Sequence, residues 1–242
     1  MNHAYARAFV VAAIAASAFG AGPSAQEAAQ SPEQRVAALK KSLAESQARL
    51  RKYEWIETTI ISLKGEEKSR KQMRCYYGAD GKVQKVPVGD APQADQGRGG
   101  RRGGRLKEKI VENKKEEMQD YMERAAALVH QYVPPNPDAI DNAKKTGKMA
   151  LRPGQGGRVR LEFTDYLKPG DLMAIDVDGA ANRLAGVNVN SYLDTPADAV
   201  TLNVAMAALA DGTGYTSQTT LDAKAKNIQV VIQNSGYKPM GQ

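Results

Sequence analysis

The sequence predicts an α+β fold in which an antiparallel sheet packs on two main helices. Three observations carry this. From Arg158 onward, apolar residues recur almost purely at every second position. Upstream, residues 31–51 and 106–133 each carry an apolar stripe at helical spacing. Between them, residues 53–88 read as strands folded back at a Gly-Ala-Asp-Gly turn. Period two belongs to strands and period 3.6 to helices. Short Gly/Asp/Asn turns between consecutive strands favour an antiparallel meander.

The elements follow in order. Ser31 is an N-cap, Pro32 suits N1 and Gln34 closes a capping box. Val36, Leu39, Leu43 and Leu50 then line one helical face over 31–51. YEWIETTIISLKG, 53–65, is rich in β-branched and aromatic residues and ends on glycine, as a strand does. Trp55, Ile61 and Leu63 share one face of it. Met73, Cys75 and Tyr77 alternate on the next strand, and Lys82–Val88 returns until Pro87 weakens it. GDAPQADQGRGGRRGGR, 89–105, has no large apolar residue and predicts a disordered loop. Leu106, Ile110, Met118, Tyr121, Met122, Ala125, Leu128 and Val129 stripe the long helix 106–133, which PPNP stops. Asn136, Pro137 and Gly147 fit N-cap, N1 and C′ of a short helix. Strands follow around 158–163, 173–177, 184–192, 200–206, 215–225 and 226–233.

The amino terminus predicts export. MNHAYAR carries one positive charge, Arg7, and AFVVAAIAASAFGA, 8–21, is an uncharged run of 14 residues. A small, polar zone follows, so residues 1–25 read as a secretory signal peptide. The run is shorter than the ~20 residues of a membrane span, and no later run approaches that length. No cysteine lies near the cleavage zone, so the expected product is a soluble periplasmic chain, 26–242, and not a lipoprotein. It folds as one domain with 89–105 as an insertion. Its lone cysteine, Cys75, excludes an intramolecular disulfide.

The charge is local. Without Arg7, 33 basic residues face 27 acidic ones, a net of +6. Arg98, Arg101, Arg102 and Arg105 supply four of these, and 29 − 27 leaves only +2. A nucleic-acid-binding domain spreads its basic surface and interleaves aromatics for stacking; none lies between Gly89 and Arg105. No nucleic acid is expected. The four arginines instead suit docking to an anionic envelope component, since guanidinium pairs with carboxylates and phosphates.

The pattern resembles a known family. An export signal precedes a helix, YEWIETTIISLKG and its hairpin. A long helix follows, then RVRLEFTDYLKPGDLMAIDVD, NRLAGVNVNSYLD, AVTLNVAMAAL and YTSQTTLDAKAKNIQVVIQNSGY. This is similar to the bacterial periplasmic half-barrel superfamily that includes the lipoprotein-localisation carriers. The likeness spans roughly 31–240 and rests on element order and strand character. It implies a strongly curved, incomplete sheet (a half-barrel) wrapped on helices, with an apolar space for a lipid or lipoprotein acyl chain. The insertion at 89–105 has no counterpart in that pattern, and no ligand-contacting position is carried over.

No catalytic constellation emerges. His130 is the mature chain's one histidine, at a helix C-terminus where the dipole favours it. Cys75 sits with apolar neighbours, as free buried cysteines do. A hairpin turn explains DVDG, 176–179, more simply than a calcium loop, whose later ligands are missing. GQGG, 154–157, lacks a P-loop lysine. Neither a metal nor a cofactor is expected, and the chain reads as a non-enzymatic binding or carrier module. Trp55, Ile61, Met118, Met122, Phe163, Met173 and Ile175 are the residues expected to line the cavity or fill the core. The alternative is an envelope accessory protein with a packed core that docks partners through its arginines.

Overall fold

The computed structural model describes residues 32–89, 104–133 and 136–241. The signal peptide read over 1–25 lies outside them, as do residues 90–103 of the loop read over 89–105. Gly104 and Arg105 open the long helix, two residues earlier than the apolar stripe predicts.

The elements in chain order are α1 (Pro32–Leu50), β1 (Tyr53–Leu63), β2 (Glu66–Tyr77), β3 (Val83–Pro87), α2 (Gly104–Tyr132), α3 (Pro137–Lys145), β4 (Met149–Pro153), β5 (Arg158–Thr164), β6 (Leu172–Asp178), β7 (Arg183–Tyr192), β8 (Ala199–Ala208), β9 (Gly214–Ala223) and β10 (Ile228–Pro239). All ten strands form one antiparallel sheet in the order β3-β2-β1-β10-β9-β8-β7-β6-β5-β4. Every neighbour is a sequence neighbour except one pair. β1 and β10 join the amino-terminal hairpin to the end of the meander, from Tyr53↔Pro239 to Leu63↔Ile228. The sheet is open, with β3 and β4 as its edges.

Local chemistry explains the turns. Lys64 and Gly65, at φ 55° and 81°, make the two-residue turn between β1 and β2, whose two positive φ angles match strand twist. The Asp178 carboxylate accepts from Ala181 N–H at 3.0 Å and so caps the β6–β7 hairpin. At α3, Asn136 Oδ1 accepts from Asp138 N–H at 2.9 Å, as its sequence predicts.

Two further features differ from the sequence reading. β4 is a strand that the alternation does not reveal. It is a five-residue edge, and Leu151 on it is 49% exposed. β10 runs on to Pro239, because β1 supplies partners along its whole length.

The three helices share one face of the sheet. Leu43 of α1, Leu128 and Tyr132 of α2 and Ile140 of α3 pack with Leu161, Phe163, Met173, Ile175, Val187, Val189, Leu202 and Val204. On the opposite face of β5 and β6, Arg160 is forked onto Asp176 at 2.7 Å through two nitrogens. A face packed on helices and a second face carrying ion pairs is a common arrangement of an antiparallel sheet. Register shifts in β1–β10, β1–β2, β6–β7 and β8–β9 add local bends. Among the described residues, no helix is long and apolar enough to cross a membrane.

Candidate functional site

The β1–β10 seam gathers aromatic side chains that lie far apart in sequence. Trp55, the protein's one tryptophan, stacks on Tyr237 with ring centres 5.5 Å apart and planes 14° off parallel. Tyr77 tilts against Trp55 at 5.7 Å. Tyr215 leans on Tyr237 at 4.4 Å, and Tyr53 meets it edge-on at 6.5 Å. Offset and edge arrangements of this kind are favoured by the ring quadrupole.

Trp55, Tyr77, Tyr215 and Tyr237 wall a cavity of about 320 Å³. Its roof is the last turns of α1, with Leu43, Ser46, Gln47 and Leu50, followed by Arg51. Leu184 and Met206 reach it from β7 and β8, and Val83 and Lys85 from edge strand β3. The amino-terminal hairpin, the meander and α1 thus each contribute a wall.

The roof is tethered at its end. Ser46 Oγ accepts from Gly214 N–H at 3.0 Å. Arg49 donates to the Asp211 carbonyl at 3.2 Å, and the Tyr53 hydroxyl donates to Asp211 Oδ2 at 2.9 Å. The Thr213 N–H, which donates to Asp211 Oδ1 at 2.9 Å, and the Tyr53 hydroxyl hold the Asp211 carboxyl below its usual range.

The polar groups in the walls have defined jobs. Trp55 Nε1 donates to Asn234 Oδ1. Glu57 accepts from Lys85 Nζ at 2.6 and 2.8 Å, bridging β1 and β3 across β2. Beneath that bridge lies Cys75, fully buried in the cross-strand row Trp55–Cys75–Lys85. Burial, then the Glu57 charge, pushes its thiol up to about 11. Burial also raises the Tyr77 and Tyr237 phenols, with Arg51 opposing the shift at Tyr77. The thiol and these phenols are neutral at pH 7.

The residues expected to line a cavity separate into four places. Trp55 walls the pocket. Phe163, Met173 and Ile175 are sealed in the core. Tyr132 and Tyr166 pack with Phe163 there, Tyr166 edge-on at 6.0 Å, so side chains fill the space between the sheet and α2. Met118 and Met122 are half-buried on α2 against the cluster of Tyr121, Ala223 and Ile228. Ile61 is 38% exposed and lies outside the pocket walls. Arg98, Arg101 and Arg102 lie outside the described residues, and Arg105 is the second residue of α2.

Sequence reasoning missed Tyr215, Asn234, Tyr237, Glu57, Lys85 and Arg51 as site residues. Tyr215 and Tyr237 sit near the ends of strands that otherwise read as ordinary sheet. The one available signal was that both carboxy-terminal strands carry an aromatic near an end.

Comparison with known proteins adds little. No family model and no curated protein matches the chain. The structure is similar to the crystal structure of a DUF1329 family protein from Desulfovibrio piger ATCC 29098, at 11% identity and a TM-score of 0.38. The match covers 86% of this chain and 94% of that one. At that distance the likeness decides neither fold nor function, and the site's own geometry has to carry the reading.

Proposed function

We propose that the protein is a periplasmic, non-enzymatic binding module that holds an apolar or acylated ligand in the pocket between α1 and the β1–β10 seam. The observation that carries this is one cavity of about 320 Å³ walled by Trp55, Tyr77, Tyr215 and Tyr237 under Leu43 and Leu50. Aromatic and aliphatic side chains share the lining with polar ones such as Gln47, Thr216 and Asn234, and apolar surface combined with placed polar groups is found in small-ligand sites.

The volume narrows the ligand. Taking water's ~30 Å³ share of liquid as the room for one heavy atom, the cavity holds about ten. That suits one short chain or one ring system. The wider acyl-chain space implied by the half-barrel carriers would lie under α2, where the core is packed. The open ten-stranded sheet with helices on one face remains compatible with that superfamily's plan.

The wall residues favour binding over chemistry. Ser46 Oγ is occupied by Gly214 N–H, and the Cys75 thiol is buried and protonated. Neither is poised as a nucleophile.

Trp55 makes the test direct. Titration with decanol should change tryptophan emission saturably, and organic extraction of the purified protein should release a small apolar molecule. An unchanged emission up to the solubility limit, with an empty extract, overturns the proposal.

A further inference from the structure

The walls of the pocket hold three charged side chains, Arg51, Glu57 and Lys85, a balance of two positive against one negative. Glu57 and Lys85 neutralise each other at 2.6 and 2.8 Å. Arg51 is left over. Among the described residues it makes neither a hydrogen bond nor an ion pair, although most other arginines on the sheet do, such as Arg70 on Glu67, Arg152 on Glu162 and Arg160 on Asp176.

Its position is specific. Arg51 follows the last residue of α1, Leu50, whose side chain is part of the apolar roof. It is exposed at the mouth, close enough to the Tyr77 phenol for its charge to act on it. A ligand whose body lies against Leu50, Trp55 and Tyr237 would therefore leave its outer end beside the Arg51 guanidinium. A guanidinium presents a planar fork of N–H donors that matches a carboxylate or phosphate.

Resting on the binding reading above, we infer that the ligand is an anionic amphiphile. Its body of about ten heavy atoms lies in the aromatic pocket, and its single carboxylate or phosphate head is held at the mouth by Arg51.

The test uses the full chain and four ten-carbon probes below their micelle concentrations: decanoate, decyl phosphate, decanol and decyltrimethylammonium. Trp55 emission is the readout. Decanoate or decyl phosphate should bind about tenfold more tightly than decanol, the factor one charge-assisted hydrogen bond supplies. The better of the two identifies the head group. Arg51→Gln should close that gap by weakening the anion, and Arg51→Lys should close it only in part. Raising salt should shrink the gap, because the head sits where ions reach it.

Equal binding of decanol and both anions overturns the inference and leaves the pocket reading standing. So does an anion preference that survives Arg51→Gln, or tightest binding by decyltrimethylammonium, which would assign the mouth to Glu57. If no probe moves the emission, the binding reading itself fails and the inference falls with it.

Discussion

The indole N–H of Trp55 donates to Oδ1 of Asn234 at 3.2 Å, across the strand pair that joins the two ends of the sheet. Nδ2 of the same amide donates to the Thr216 carbonyl at 3.0 Å. The two bonds together fix which way the amide points. They also tie β1, β10 and β9 at the wall of the pocket. Asn234→Leu keeps the volume and removes both bonds, leaving a donor and an acceptor that are each part-buried. The expected loss is about 1 kcal/mol, read as a lower urea midpoint with an unchanged slope.

Phe163 and Ile61 were equal candidates on sequence and are unequal in the fold. Phe163 is 0% exposed and Ile61 is 38% exposed. Phe163→Ala should cost about 3–5 kcal/mol, from lost burial plus the cavity left behind. Ile61→Ala should cost less than about 1 kcal/mol. Chemical denaturation of the two variants side by side checks the ranking.

Gly186 sits at the β6–β7 register shift, where a Cβ would stand 2.8 Å from the Val204 carbonyl oxygen. A backbone atom cannot swing aside as a side-chain tip can. Gly186→Ala should therefore cost about 1–3 kcal/mol, the usual range for overpacking. Gly179, in the turn that leads into β7, meets nothing within 4 Å. Gly179→Ala should be neutral or stabilise by up to about 1 kcal/mol through the unfolded chain. Thermal unfolding of the pair separates close approach from a generic glycine effect.

Cys75 should make the protein sensitive to alkali. Its thiol ionises at about 11 in the fold against an ordinary 9.0. Below pH 9 both folded and unfolded chains keep the proton, and its contribution is fully present. As pH rises from 9 to 11 the unfolded chain loses it first, so stability declines. Between pH 7.5 and 10.5 that decline amounts to about 2 kcal/mol. Cys75→Ala should lack this part of the decline while retaining the part due to the raised phenols. The difference between the two urea titrations isolates it. A thiol reagent at pH 8 should likewise react with Cys75 only after unfolding.

Much of the fold was legible because it is written locally. The stripes of α1 and α2, the Asn136 cap, the turn at Lys64–Gly65 and the alternation in β5–β8 each depend on residues within a few positions of one another. β4 escaped because an exposed five-residue edge carries almost no alternation. The candidate site was legible only at Trp55. Its partners Asn234 and Tyr237 arrive from about 180 residues away, and their pairing depends on β1 choosing β10 as its neighbour.

The sequence by itself therefore determined the helices and every strand but the edge β4, where most turns fall, and which strand faces are apolar, since period and turn chemistry are short-range properties. Only the tertiary structure decided where empty space would remain. The core under α2 closed because Tyr132 and Tyr166 fill it. The pocket opened at the seam because Tyr77, Tyr215, Tyr237 and Trp55 converge there from several strands, with Leu43 and Leu50 of α1 as the roof.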